Sequence, residues 1–116
     1  MIQDVRGLDQ LATELAAKAA DHHSGRAAET VYGGHGRSLR QTMIALVADA
    51  GLAEHESPGD ATLLVLAGQV RLSAGEYSWE GARGDLLVIP PVRHDLAALT
   101  DAVVLLSVAK DVGPAS

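Results

Sequence analysis

The stretch GDLLVIPPVRH at residues 84–94 and the longer stretch GLAEHESPGDATLLVLAGQVRL at residues 51–72 decide how this chain folds. The first is a short Leu/Val/Ile run stopped by Pro90-Pro91, which cannot donate to a sheet ladder, so it reads as a strand ending in a loop. In the second, residues 61–66 and 70–73 are apolar, β-favouring segments on either side of a turn at Ala67-Gly68-Gln69. Outward from there, Gly75-Glu76 marks another turn before Tyr77-Ser78-Trp79. Residues 102–109 form a last apolar strand, and residues 39–48, with Met43, Ile44, Leu46 and Val47, form an earlier one. Short strands with turn signals about every 8–12 residues indicate a β-sandwich or barrel. No segment between them is long enough for a helical crossover, so the strands are antiparallel.

The N-terminal third differs. Residues 8–20 are almost all good helix formers, and Leu8, Leu11 and Leu15 recur at i, i+3 and i+7, giving one apolar stripe. Asp9 near the start and His22-His23 at the end suit the helix dipole, and Gly25 is a plausible stop. One amphipathic helix is expected over residues 8–22, its stripe packed on the barrel or on a second subunit. The division expected is a helical arm over residues 1–30 and a barrel over residues 31–116, within one structural domain.

Composition narrows the function classes. Net charge is -6 with the acids dispersed, so counterion release offers nothing for nucleic-acid binding, and no such partner is expected. There is no cysteine, which removes disulfides, thiolate catalysis and Cys-ligated metals and fits a reducing cytoplasm. The start lacks a signal-peptide pattern, and no apolar run approaches the roughly 20 residues of a membrane helix. The expectation is a cytoplasmic protein with no membrane partner. With one Trp, two Tyr and no Phe, the core must be aliphatic.

Taken together, residues 51–109 resemble a cupin, whose first motif has a Gly, a His-x-His pair, a Glu and a strand closed by Gly. Its second motif has a Gly, a Pro after an apolar run and then a His, matched here by Gly84, Pro90 and His94. The resemblance implies an all-β, cupin-like antiparallel β-barrel (jelly roll) with a short N-terminal α-helix. In such barrels His-x-His on a strand sends two imidazoles into one cavity. With a Glu and a third His they hold iron, manganese, nickel or zinc.

This chain departs from that ligand set. His55 and His94 match the histidines, but Ser57 stands at the second His, and Ala61 or Thr62 stands at the Glu. Val92 replaces the usual Gly before His94, and Asp49 stands where the first motif normally opens with Gly. His55, Ser57 and His94, with Gln41 and Met43 from the preceding strand, are the residues expected to line a ligand cavity. A metal would use His55 and His94, completed by His35, Gln41 or a water. Glu56 is discounted because strand alternation turns it away from His55 unless the strand bulges. The cofactor expected is none, or one divalent transition metal (Fe, Mn, Ni or Zn).

Elsewhere ordinary roles suffice. Tyr77 and Trp79 share a strand face and are expected in the core or an interface. His22-His23, Arg26, Arg37 and Arg40 are read as solvated. The function expected is small-molecule binding, with a sensing or regulatory role. The alternatives are a metal-dependent dioxygenase or isomerase, and a scaffold or interaction protein whose barrel is filled. A homodimer is expected, to cover edge strands.

Overall fold

The computed structural model of the protein describes residues 5–34, 36–55 and 59–110, and within them the side chains of Glu54, His55 and Lys110 are left aside. Helix α1 (Leu8–Asp21) is followed by nine strands: β1 (Arg26–Tyr32), β2 (Leu39–Leu46), β3 (Gly51–His55), β4 (Gly59–Ala67), β5 (Gln69–Ala74), β6 (Tyr77–Ala82), β7 (Leu86–Val88), β8 (His94–Ala98) and β9 (Ala102–Lys110). All pairings are antiparallel. They form a five-stranded sheet in the order β1-β2-β9-β4-β7 and a four-stranded sheet in the order β3-β8-β5-β6. The described helix is not long and apolar enough to cross a membrane.

Alternation builds the interior. β4 turns Ala61, Leu63 and Val65 inward, β5 turns Val70 and Leu72, and β8 turns His94, Leu96 and Ala98. These meet Ile44, Leu46, Val104 and Val108 between the sheets. The β4–β5 turn depends on Gly68, whose φ is +77° and whose place would put a Cβ against the Asp101 carbonyl. Glycine is the residue type that tolerates both that backbone and that closeness.

A second apolar layer lies outside the five-stranded sheet. The predicted helix stripe lies here: Leu15 is buried with Ala19 against Met43, Ala45 and Val103, and Leu8 and Leu11 pack around them. The helix therefore covers its own barrel. Gly25 turns the chain from α1 into β1 at φ +71°, donating to the His22 carbonyl (2.9 Å) while its own carbonyl accepts from Val47 N–H (2.9 Å). Arg6 steadies the start of the helix by bonding Glu29 (2.9 Å) and the Val31 carbonyl (3.2 Å), an exposed arrangement worth under about 1 kcal/mol.

Three features depart from the sequence expectation. Residues 26–32 form a strand rather than the end of a helical arm; β1 is an edge strand, and its alternation is faint because only Ala27 and Val31 are partly covered. His94–Ala98 is also a strand, with two alanines and an aspartate among its five residues and therefore weak in β signal. Of the two places expected for Tyr77 and Trp79, core or interface, the core is excluded: they are 69% and 45% exposed and stack on each other at 6.3 Å between ring centres.

Candidate functional site

His94 is the polar side chain of the buried core among the described residues, only 3% exposed at the first position of β8. Among the described residues its surroundings are aliphatic: Leu52, Leu63, Leu72, Ile89, Leu96 and Leu106 line with it a cavity of about 20 Å³. That is room for a water, not for an organic molecule. A buried imidazole needs its polar atoms paired. Nδ1 lies 2.8 Å from the Val92 carbonyl oxygen, which can only accept, so the proton sits on Nδ1. In the neutral ring this places the lone pair on Nε2 and fixes the ring plane.

The partner of His94 across the β3–β8 pair is His55, and a bulge puts it there. Leu52 pairs with Leu96, but three residues on β3 then answer two on β8, so that His55 meets His94. A regular strand would have brought Glu54 to that place. The extra residue shifts the phase of β3 just before the site. It falls before His55, so it does not bear on the alternation by which Glu56 is discounted. His35, Glu56 and Ser57, named from the sequence as possible site residues, lie outside the described residues.

Two sequence-derived lining residues are corrected. Met43 is fully buried, but in the layer under α1, against Leu15, Ala19 and Val103. Gln41 has the same phase: its amide donates to Ser107 Oγ (3.0 Å), the side chain of its cross-strand partner. Both face away from the barrel interior because the inward phase of β2 belongs to Ile44 and Leu46. Followed back, that phase assigns Thr42 and Arg40 to the inner face, opposite Leu106 and Val108 of β9. Strict alternation from Ile44 would have found them in the sequence. The apolar run to either side of Ile44 hid the phase.

A divalent metal needs at least three well-placed N or O donors. Among the described residues no group of three or more His, Asp or Glu side chains is so placed. Among the described side chains lining the cavity, His94 supplies the one imidazole.

No protein-family model matches the sequence, and no curated protein matches it. Solved structures do match in fold. A conserved protein of unknown function from Streptococcus pyogenes is 25% identical, with a TM-score of 0.70 over 79% of this chain and 80% of that one. An RmlC-like cupin protein from Desulfovibrio desulfuricans is 20% identical, with a TM-score of 0.63 over 93% and 92% of the two chains. A salicylate 1,2-dioxygenase from Pseudaminobacter salicylatoxidans is 18% identical, with a TM-score of 0.71 over 84% of this chain and 32% of that one. The two sheets around His94 are thus those of a small cupin-type domain.

Proposed function

We propose that this cupin-type domain is a small-molecule-binding barrel, with a sensing or regulatory role, in which His94 and His55 hold one polar group of the ligand. The observation that supports it best is the fixed, buried imidazole of His94, set directly across the strand pair from His55. A polar group of known tautomer at the end of an apolar interior is what orients a small ligand. The 20 Å³ left beside His94 confines that ligand's body to the rim of the barrel, where Thr42 and Arg40 are the polar neighbours we assign to it. Screening small molecules by thermal shift on the intact protein tests this. A compound that stabilises the protein and loses its effect in His94→Leu supports it; a full diverse library without one such compound overturns it.

A metal-dependent enzyme, of the dioxygenase or isomerase type, is the second reading. It is favoured by the Nδ1–H bond to a backbone carbonyl, which is how metal-ligating histidines are commonly held. It requires His55, His35 or a water to complete the donor set. Elemental analysis of tag-free protein decides it: near-stoichiometric transition metal that disappears in both His55→Ala and His94→Ala would replace the binding reading. We also propose a homodimer, because the edge strands β6 and β7 carry exposed Tyr77, Trp79, Leu86 and Val88.

A further inference from the structure

β1 is an edge strand of the five-stranded sheet, and on its inner side, in phase with Ile44 and Leu46 of β2, Arg26, Ala28 and Thr30 stay exposed. The result is an open seam beside the end of α1, a cleft of about 460 Å³ with Ile44 and Leu52 among its floor residues. Its polar lining is His22, His23, Ser24 and Arg26, with the one permanent charge on Arg26. We propose that this seam binds a small organic carboxylate, with the acid group on Arg26 and the apolar body on Ile44 and Leu52.

Arg26 carries the argument. Its Nη1 donates to the Gly51 carbonyl (2.9 Å), which fastens the guanidinium from β1 across the seam to β3 and fixes its plane. The ion pairs among the described residues join Arg6 to Glu29 and Arg71 to Glu80, so Arg26 has no carboxylate of its own there. Its remaining N–H groups form the planar fork that matches a carboxylate.

The imidazoles agree with that assignment. Ser24 N–H donates to His22 Nδ1 (3.1 Å), so the proton of the neutral ring is on Nε2, and that atom is a donor. His23 stacks on His22 with ring centres 4.4 Å apart, which holds the two rings as one wall. The negative end of the α1 dipole opposes an anion, but its carbonyls are partly answered. His22 N–H caps Ala19 O (3.3 Å), and Gly25 N–H caps His22 O (2.9 Å). The acid group is therefore placed on the Arg26 side and not over the helix end. The apolar floor selects a carboxylate with a short aliphatic body over a bare inorganic anion. Leu52 lines both this cleft and the cavity at His94.

The site is distinct from the His94–His55 pair, and the test keeps them apart. Hexanoate, hexanol and inorganic phosphate are titrated separately into ¹⁵N-labelled protein while amide resonances are followed. The proposal expects saturable shifts at Ser24, Gly25, Arg26 and Leu52 with hexanoate, little response to hexanol, and weaker binding of phosphate. Arg26→Gln is expected to weaken hexanoate about tenfold or more, the effect of losing a charge-assisted bond. His23→Ala, which leaves the Arg26 bridge to β3 in place, is expected to weaken it by a few-fold, and His94→Leu to leave it unchanged. Absence of saturable shifts, an equal response to hexanol, phosphate binding as tight as hexanoate, or undiminished binding in Arg26→Gln would each overturn it.

Discussion

The two faces of β2 and β9 are both apolar, yet they are packed in different ways. On the inner face Ile44, Leu46, Val104 and Leu106 meet a second sheet, which is held in its own ladder and cannot move toward them. On the outer face Met43, Ala45, Val103 and Leu105 meet one helix, joined to the barrel by the short turn at Gly25. A sheet sandwiched between another sheet and a helix has no polar side, so its central strands lose the alternation that marks a half-buried strand. The inner layer is closed by geometry, whereas the outer one is closed by a single movable element. The two layers should therefore respond unequally to the same truncation.

The largest effect is expected inside. Leu72→Ala removes a side chain that is 2% exposed from between two sheets that cannot collapse on the gap, and should cost about 3–5 kcal/mol in urea denaturation. Leu15→Ala, equally buried under α1, should cost less, about 2–3 kcal/mol, because the helix can settle toward the sheet. Equal losses would mean that α1 is held as rigidly as a strand, and the contrast between the layers would fail. His94→Leu sharpens the comparison from the site. It exchanges a buried imidazole for an aliphatic side chain amid leucines, so stability should change by less than about 1.5 kcal/mol while ligand response is lost. A large destabilisation would instead mark His94 as a structural element of the inner layer. The smallest effect on folding is expected at the uncovered edge: Val88→Lys, at a position 74% exposed, should alter stability by under about 0.5 kcal/mol. If β7 lies in the dimer contact, sedimentation should nonetheless show that variant as a monomer.

These same layers explain what the sequence could reveal. The turns at Gly68 and Gly75, the stop at Pro90 and the helix stripe were legible because each has a local signature. Those signatures placed six of the strands, and with the motif spacing they identified the fold. Met43 was misplaced because apolar neighbours at Ile44, Ala45 and Leu46 conceal which phase points inward. β1 was missed for the opposite reason, since an edge strand with RAAETVY as its sequence buries too little to alternate. At the site, His94 in its barrel was legible from the Gly84–Pro90 spacing, but the direct opposition of His55 and His94 was not. It depends on one extra residue in β3, which only the pairing with β8 reveals. The exposure of Tyr77 and Trp79 was equally invisible, because sequence does not say which sheet edge remains uncovered.

The surplus residue in β3 also gives the strand slack. From Leu52 to His55 the strand contains one residue more than β8 requires, so a deletion of Ala53 would restore an even ladder and still leave position 55 opposite position 94. Most one-residue deletions in a strand invert everything beyond them. Here the histidine pairing is insulated from such a change, and the segment just before it is where this fold can lose length without losing its site.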